Sequence, residues 1–355
     1  VGAGGQNLIE KILIIWEEPV MLNFGICFKG DMAPGRTVKL ARRAEEGGFT
    51  YVWTFDSHVL WRDCTVMLGY LAAHTSTVRL GPLVTNPAVR DITVTASVYA
   101  GLNVITGGRA VCAIGRGDSS RRVLGKKPTT VARMMEAVEQ IRALAEGKEI
   151  EYLGQKQWLS WANPDYKLPI WIAGYGPKVL TAAGAHADGI VLQIADPELI
   201  PWFISKVHEG AKAAGRDPKE IKIMSAAPVF VHDDVAECRR HVRWFPAMVG
   251  NHVADIVEKH ANLDEIPQDF IKYIEGRKGY DYRQHADKDS EHLDFIPDEI
   301  IDRFAIVGDV EAHIAKLKTL KEAGVDQFVI YLMSDEEERN LEIYCTEILP
   351  EVNKW

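Results

Sequence analysis

The chain has 355 residues, of which 47% are hydrophobic and 26% are charged. This composition is typical of a globular protein with a large core, and it excludes extensive disorder. A formal net charge of −9 argues against a nucleic acid or an anionic membrane as the main partner. The five cysteines are scattered and show no CxxC spacing. We therefore expect reduced thiols in a cytoplasmic protein, with neither a disulfide framework nor a metal site.

The first 20 residues contain only one short apolar run, at positions 12–16, with acidic residues on both sides. A signal peptide would have a basic start and a small-residue cleavage site, and neither is present. A membrane span needs about 20 apolar residues, and no segment approaches that length. Met21 and the apolar run after it resemble a natural start. We therefore expect residues 1–20 to be an extension of no clear role and residues 21–355 to form one domain.

From Met21 onward, short apolar runs alternate with segments of helical periodicity. The predicted strands are residues 22–28, 51–55, 78–84, 109–114, 170–173, 189–194, 221–231 and 327–332. Each run is almost continuously apolar, as expected for strands buried on both faces. Eight strand–helix repeats favour a (β/α)8 TIM barrel over a doubly wound sheet, because no GxGxxG motif follows the first strand.

Two helices have clear boundaries in the sequence. The first predicted helix has Val38 and Ala44 on its inner face and ends at the glycines 47–48. A later helix begins after Thr129 or Thr130 and ends at Gly147. The apolar residues of this later helix share one face; they are Val131, Met134, Met135, Val138 and Ile141.

Two stretches interrupt the repeat. Residues 148–168 predict a short hairpin before the fifth strand. Residues 245–300 form a longer insertion that is polar and rich in tyrosine. A loop of that length in a compact barrel is typical of a lid over the active site, and a solvated excursion or an oligomer contact is the alternative.

In TIM barrels the active site lies at the carboxyl ends of the strands, so the residues that follow each apolar run are the candidates. Asp118 and His58 follow the fourth and second strands, and both could transfer protons. Asp118 could instead cap the next helix, and His58 could be a packed surface histidine. Trp61 could stack on a cofactor ring or simply pack within its loop.

The segment 174–178 joins the fifth strand to a helix. It consists of Gly174, Tyr175, Gly176, Pro177 and Lys178. Its glycines let backbone N–H groups approach a ligand, Pro177 suits the first helical position, and helix N-termini attract phosphate. An ordinary strand-to-helix connection is the alternative.

A basic cluster follows the fourth strand and could bind an anionic cofactor tail or substrate, or be a solvated surface. Its members are Arg121, Arg122, Lys126 and Lys127. The sequence contains no GxSxG, GxxxxGK[ST] or HExxH motif, and its 11 histidines show no ligand spacing. Hydrolase, phosphoryl-transfer and zinc chemistry therefore lose support, and a cofactor-dependent barrel remains.

Three long blocks resemble the bacterial luciferase-like superfamily of flavin and deazaflavin oxidoreductases. They are residues 80–118, 169–191 and 304–330. Within the superfamily, the motifs are most similar to those of methylenetetrahydromethanopterin reductase and other enzymes that use coenzyme F420, a deazaflavin. The resemblance implies a TIM-barrel oxidoreductase with coenzyme F420 or FMN as its cofactor and a small molecule as its substrate.

The resemblance also implies roles for individual residues. Leu83, Val84 and Thr85 would support the tricyclic ring, on a bulge of the third strand with a non-proline cis peptide bond between Leu83 and Val84. Asp118 would lie near the reacting ring position, and Trp61 would form a wall on the substrate side. The cofactor phosphate would bind at Gly174, Tyr175, Gly176 and Pro177.

Two positions depart from the family pattern. The relatives have histidine directly after an aspartate, whereas here Ser57 follows Asp56 and His58 comes one residue later. Cys27 stands where the methylene-pterin reductases have an acidic residue.

The sequence as a whole predicts an oxidoreductase that transfers hydride between a deazaflavin or flavin and a small organic substrate. The alternative within enzymes is an FMN-dependent monooxygenase that receives reduced flavin from a partner reductase. A non-catalytic flavin-binding barrel is the alternative from another class. We expect a homodimer or homotetramer, with neither a nucleic-acid nor a membrane partner.

Overall fold

The computed structural model describes residues 21–250 and 296–355, together with residue 268. Within them, parallel strands form a barrel surrounded by helices. In chain order the strands are β1 (Asn23–Phe28), β2 (Tyr51–Thr54), β3 (Arg79–Pro82), β4 (Cys112–Ile114), β5 (Ile150–Tyr152), β6 (Gln155–Gln157), β7 (Ile170–Ala173), β8 (Gly189–Leu192), β9 (Lys222–Val231), β10 (Ile306–Gly308) and β11 (Gln327–Tyr331).

Eight of these strands close the barrel. Their order is β1-β2-β3-β4-β7-β8-β9-β11, and β11 pairs in parallel with β1. Parallel bridges join Leu80 to Ala110 and Thr85 to Ile114, which connects β3 to β4 and completes the circle. The predicted TIM barrel and all eight predicted strands are confirmed.

One strand was not predicted. The short β10 pairs with the last three residues of β9, in the register Ile306 to Val229. Strand β9 has ten residues, and its first part already pairs with β8 and β11. A three-residue strand gives too short an apolar run to be recognised by its periodicity.

The helices lie between the strands along the chain. They are α1 (Pro34–Glu46), α2 (Cys64–Ala72), α3 (Ile92–Thr106), α4 (Ser119–Arg122), α5 (Val131–Ala145), α6 (Pro177–His186), α7 (Ile200–Ala213), α8 (Val235–Val242), α9 (Asp298–Phe304), α10 (Val310–Glu322), α11 (Glu337–Ile343) and α12 (Leu349–Val352). A π-helical segment, Tyr344–Ile348, joins α11 to α12. The predicted boundaries of α1 and α5 are confirmed, and the Thr130 side chain caps α5 by accepting a hydrogen bond from the Arg133 amide.

Aromatic rings fill the amino-terminal half of the barrel interior. Trp53 stacks on Tyr51 at 5.5 Å and meets Trp171 edge-on at 6.4 Å. Glycines provide the space for these rings, because a Cβ on Gly189 would lie 2.5 Å from the Trp171 ring and one on Gly25 would lie 3.0 Å from Trp53 Nε1. Since this half is packed solid, a ligand can enter the barrel axis only from the carboxyl ends of the strands.

The two predicted insertions differ in how much of them the structure describes. The hairpin is confirmed, because β5 and β6 form an antiparallel pair within residues 148–168. Of residues 245–300, the structure describes 245–250, which are helical, residue 268, and 296–300, which enter α9. The rest of that predicted lid, and the predicted extension 1–20, lie outside the described residues.

All five cysteines are free and buried. Burial raises the pKa of Cys27 and of Cys64 well above the usual range, which keeps both as uncharged thiols. In the described part of the chain, none of the helices is long and apolar enough to cross a membrane.

Candidate active site

A cavity opens at the carboxyl ends of the barrel strands and encloses about 1130 Å³, including its open mouth. Its apolar wall consists of Phe55, Trp61, Leu83, Val84, Ala173, Val179 and Met248. Its polar lining includes Asp56, Ser57, Arg116, Asp118, Ser119, Ser120, Tyr175 and Gln193. An apolar wall facing a few polar groups is the usual lining of a cofactor site.

An ion triad built on the buried Asp56 carboxylate fixes the loop after β2. Arg90 donates two hydrogen bonds to Asp56, at 2.6 and 3.0 Å, and a third to Asp63 at 2.8 Å. The Asp56 side chain is 1% exposed, so its charge depends on this bidentate partner. Partial burial would raise the pKa of Asp63, but hydrogen bonds from Thr65 and Arg90 outweigh burial and lower it to about 2. The triad therefore fixes the position of the Asp56 carboxylate in the cavity wall.

Two hydroxyl groups meet across the cavity lining. Ser57 Oγ and Ser119 Oγ are 2.6 Å apart, and either can donate the hydrogen bond. This bond joins the loop after β2 to the start of α4. The Ser57 carbonyl accepts the amides of Leu60 and Trp61, and the turn they close brings the Trp61 ring to 5.1 Å from the Phe55 ring. Ser57 therefore occupies a lining position next to the aromatic wall.

Asp118 lies at the end of the loop after β4, where it immediately precedes α4. Its Oδ1 accepts a hydrogen bond of 2.5 Å from Arg122 Nε, one helical turn away. The Asp118 side chain makes no capping bond to the α4 backbone, contrary to the cap alternative. The carboxylate is 20% exposed and lines the cavity, so a ligand can reach it.

The segment 174–178 begins α6 as the sequence predicted, with Gly176 at the N-cap position and Pro177 in the first turn. The N-cap residue offers no side-chain acceptor, and the helix N-terminus faces the cavity through Gly174, Tyr175 and Gly176. At Gly174 any side chain is excluded, because a Cβ would lie 2.3 Å from Val179 Cγ1. Such a helix start suits an anionic group.

A chain of hydrogen bonds links this loop to the last strand. Tyr175 Oη donates to Gln193 Oε1 at 3.1 Å, and Gln193 Nε2 donates to Tyr331 Oη at 2.6 Å. Burial raises the pKa of both tyrosines well above the usual range, so both hydroxyls stay protonated. Gln193 thereby fixes the position of Tyr175 in the cavity wall.

The end of β3 forms another side of the cavity, and only β4 separates it from β7, the strand that leads into α6. The Leu83–Val84 peptide bond is cis, as the family resemblance implied. Gly115 lies directly behind Val84, since a Cβ there would be 2.9 Å from Val84 Cγ2. Asn86, in the same loop, donates to Ser120 Oγ at 2.9 Å and so ties β3 to α4.

Most of the predicted site residues share this cavity. Those that line it are Trp61, Leu83, Val84, Asp118, Gly174, Tyr175 and Gly176. Four others do not line it: His58 is exposed, Thr85 is buried next to Val84, Pro177 begins α6, and Arg121 donates from Nε to the Lys127 carbonyl at 2.7 Å. His58 could therefore exchange a proton only with a substrate group that extends out of the cavity. Asp118, by contrast, lies within the cavity.

Several important residues were missed by the sequence reasoning. Phe55, Met248 and Val179 complete the apolar wall, and Arg90 holds Asp56. Arg90 is directly followed by Asp91, so the local sequence does not indicate that its buried partner is Asp56. No sequence pattern distinguishes the three apolar residues, because the apolar runs that contain them resemble any other core segment.

Comparison with known proteins agrees with this geometry. Residues 13–327 match the family model of luciferase-like monooxygenases. The chain belongs to the luciferase-like monooxygenase family. The family predicted from the sequence is therefore confirmed. The match begins inside the predicted extension 1–20.

The similar proteins have names that agree with the predicted enzyme class. The chain is 30% identical to 5,10-methylenetetrahydromethanopterin reductase of Archaeoglobus fulgidus, over 93% of this chain and 100% of that protein. It is also 30% identical to F420-dependent glucose-6-phosphate dehydrogenase of Kineococcus radiotolerans, over 66% of this chain and 77% of that protein. A solved F420-dependent secondary alcohol dehydrogenase matches 94% of this chain and 99% of its own, with a TM-score of 0.76. At 24% identity this last likeness shows the shared fold.

The lining of the cavity fits the cofactors of these relatives. Coenzyme F420 and FMN each combine a flat tricyclic ring with a phosphate. The cavity offers an apolar surface at Leu83 and Val84 for a ring, and the start of α6 for an anion.

Proposed function

We propose that this protein transfers a hydride between coenzyme F420 and a small organic substrate. The observation that supports it most is the reductase relative, which is 30% identical along its whole length. The cavity at the carboxyl ends of the strands supplies a site with a suitable lining. When bound, a deazaflavin supplies the hydride chemistry, and the protein supplies binding, orientation and electrostatics.

Each part of the cavity has a proposed role. Leu83 and Val84, with Thr85 behind them, support the ring. The segment 174–177 holds the phosphate, and Arg121 of α4 is proposed to meet an anionic tail. Trp61 forms the wall on the substrate side, next to Phe55.

Asp118 is the proposed proton-transfer group. A hydride carries two electrons and one proton, so reduction of a carbonyl or similar group requires a second proton from the protein or from water. Asp118 lines the cavity and is held by Arg122. His58, exposed at the outer end of the β2 loop, is the alternative donor.

We propose only that the substrate is a small organic molecule. Cys27, an uncharged buried thiol, occupies the position at which methylene-pterin reductases have an acid. The proposal therefore does not extend to the pterin substrate of those reductases. We also propose a cytoplasmic location, because all five cysteines remain thiols.

The second candidate is an FMN-dependent monooxygenase supplied with reduced flavin by a partner reductase. The name of the matching family model favours it. The two candidates differ in chemistry, because reduced FMN activates oxygen readily and a deazaflavin does not.

Titration of the purified apoprotein with coenzyme F420 and with FMN, followed by fluorescence, separates the two candidates. We expect micromolar or tighter binding of coenzyme F420 and weaker binding of FMN. Micromolar binding of FMN without detectable binding of coenzyme F420 would overturn the first proposal and favour the monooxygenase.

A further inference from the structure

The hydroxyl pair in the cavity lining, Ser57 and Ser119, retains one unused hydrogen-bond donor. A serine hydroxyl carries one proton and can accept two hydrogen bonds. The two Oγ atoms are 2.6 Å apart, so one hydroxyl donates its proton to the other. In the described part of the chain, neither hydroxyl has a second hydrogen-bond partner. The accepting serine therefore keeps its own proton for a group that enters the cavity.

The pair lies between two side chains with proposed roles in the reaction. Ser119 directly follows Asp118, the proposed proton-transfer group, and the Ser57 carbonyl accepts the Trp61 amide at 2.9 Å. The Trp61 ring packs on Phe55 at 5.1 Å and forms the proposed wall on the substrate side. All of these residues line the same cavity. We therefore expect a substrate that contacts both the aromatic wall and Asp118 to lie beside the hydroxyl pair.

The hydrogen-bonding capacity of the pair matches both members of a carbonyl–alcohol couple. A carbonyl oxygen only accepts hydrogen bonds, whereas an alcohol also donates one. Because either serine can be the donor within the pair, the remaining proton can be given to a carbonyl oxygen. The pair also has unused acceptor positions for the proton of an alcohol. An ionised carboxylate, which only accepts, could bind the alcohol in this way but not the carbonyl.

We propose that the Ser57–Ser119 pair donates a hydrogen bond to the oxygen on the reacting carbon, so that the substrate is a ketone or aldehyde, or the corresponding alcohol. This inference rests on the proposed function and adds the substrate class to it. Addition of hydride to the carbonyl carbon forms a C–H bond and moves the C=O electron pair onto the oxygen. The coenzyme is oxidised, the carbonyl compound is reduced, and Asp118 supplies the proton that completes the alcohol. The hydroxyl pair stabilises the negative charge that develops on the oxygen.

The backbone on both sides holds the two hydroxyls in place. Ser57 is buried, and its carbonyl accepts the amides of Leu60 and Trp61, each at 2.9 Å. Ser119 belongs to α4, where its carbonyl accepts the Val123 amide at 3.1 Å. A donor stabilises a developing oxyanion best when it is already in position before the reaction. The pair meets this condition because both serines lie in hydrogen-bonded turns.

Two ligands of similar shape test the inference by binding alone. Cyclohexanone has a carbonyl oxygen where methylenecyclohexane has a CH2 group. Calorimetry measures the binding of each ligand to the protein, with and without coenzyme F420. The double variant Ser57→Ala with Ser119→Ala should bind cyclohexanone about two- to tenfold more weakly than the wild type, the scale of one neutral hydrogen bond. Binding of methylenecyclohexane should be nearly unchanged, because it accepts no hydrogen bond.

Infrared spectroscopy of bound cyclohexanone reports the hydrogen bond directly. The C=O stretch should lie at lower wavenumber in the wild type than in the double variant, because a donor weakens the C=O bond. A purely structural role of the two serines would not change this frequency. The control Ser205→Ala removes an exposed hydroxyl on α7, outside the cavity, which donates to the Trp202 carbonyl at 2.7 Å. This control should change neither binding nor the C=O stretch.

Turnover separates the inference from the proposed function. With reduced coenzyme F420, the double variant should lower kcat for cyclohexanone reduction by about 10²–10³, the usual cost of losing an oxyanion donor. Its dissociation constant for coenzyme F420 should stay nearly unchanged. If the wild type does not reduce cyclohexanone but shows the infrared shift, the hydride transfer is wrong and the pair stands as a carbonyl-binding site.

Three results would overturn the inference. The first is equal binding of cyclohexanone to the wild type and the double variant, or no binding to either at millimolar concentration. The second is loss of coenzyme F420 binding in a folded double variant, because the pair would then contact the cofactor. The single variants Ser57→Ala and Ser119→Ala guard against misfolding, which far-UV circular dichroism detects. At least one of them should weaken cyclohexanone binding, and unchanged binding in both is the third result.

Discussion

At the scale of single residues, the site depends on a few side chains whose surroundings fix their state. Asp118 forms an ion pair with Arg122, and the hydroxyl groups of Ser57 and Ser119 form a hydrogen bond. The first pair spans one turn of α4 and the second joins two loops, and in both a single substitution changes local chemistry without removing core volume. Substitutions that conserve shape are therefore the sharpest tests at this scale.

Asp118→Asn should lower turnover by about 10²–10⁴ while cofactor binding stays nearly intact, because the amide keeps the shape and loses the proton-transfer role. Steady-state rates and fluorescence titration of the same preparation measure both quantities. His58→Ala is the matched comparison, since His58 is exposed outside the cavity lining. If that variant loses more activity than Asp118→Asn, the two roles must be exchanged.

Gly176→Val should weaken cofactor binding by about 1–3 kcal/mol, the cost of losing a charged hydrogen bond at the helix start. The Gly176 backbone, at φ −77° and ψ 146°, accepts any residue, so the variant should fold. Gly35→Val provides the control, because a Cβ there meets no atom within 4 Å and Gly35 does not line the cavity. An unchanged dissociation constant for Gly176→Val would remove the loop 174–177 from the site.

At the scale of secondary-structure elements, buried polar side chains connect strands and helices that are distant in sequence. The Arg90 triad joins the loops after β2 and β3. On the other side of the barrel, His313 of α10 accepts from Tyr344 Oη at 2.8 Å through Nδ1 and donates from Nε2 to the Phe230 carbonyl at 3.2 Å. Both clusters stabilise the packing of these elements through hydrogen bonds to buried polar side chains.

Arg90→Gln should destabilise the fold by about 3–5 kcal/mol, because it leaves the buried Asp56 carboxylate without its ionic partner. Chemical denaturation measures this difference in the free energy of unfolding, analysed with the same denaturant m-value for both proteins. Arg36→Gln breaks ion pairs with Glu337 and Glu338 on the surface and should cost at most about 1 kcal/mol. Equal effects of the two variants would show that Asp56 gains little from the triad.

His313 should make the fold sensitive to acid. Burial lowers its pKa from 6.5 to about 4, outweighing the hydrogen bond to Phe230 that raises it. Above pH 6.5 neither state binds the proton; between pH 6.5 and 4 only the unfolded state does, so stability falls by about 3 kcal/mol as pH falls. Denaturation midpoints at pH 7, 5.5 and 4.5 measure the loss.

The variant His313→Gln should lose less stability between pH 7 and 4.5 than the wild type, because glutamine does not titrate. The exposed His74 is the control, and His74→Gln should keep the wild-type pH dependence. If His313→Gln loses as much stability with falling pH as the wild type does, the acid sensitivity is due to other groups.

At the scale of the whole molecule, one closed barrel places residues from many positions of the chain around one cavity. A ligand that binds there contacts several loops at once and favours the folded state. At a hundredfold excess over its dissociation constant, a cofactor adds about 2.7 kcal/mol to the free energy of unfolding. We therefore expect coenzyme F420 to raise the melting temperature by several degrees and FMN, at the same concentration, to raise it less. The reverse order would favour the monooxygenase.

The sequence by itself determined the elements and their order. Eight apolar runs predicted eight barrel strands, since a strand buried on both faces needs continuous hydrophobicity. Thr130 and the glycines after α1 and α5 marked helix ends, because capping depends on the local chain. Trp61, Asp118 and the loop 174–177 could be placed near the cavity, because the carboxyl ends of parallel strands meet at one face.

Only the tertiary structure decided which side chains enter that face. His58 and Asp56 are two residues apart, yet the backbone turn after β2 exposes the first and buries the second against Arg90, 34 residues later. The apolar surface of α2 and α3 likewise looks like a core pattern in the sequence, and only the folded barrel shows that it faces outward. Local sequence fixes periodicity and caps, whereas side-chain direction and burial depend on contacts between distant segments, which no local pattern records.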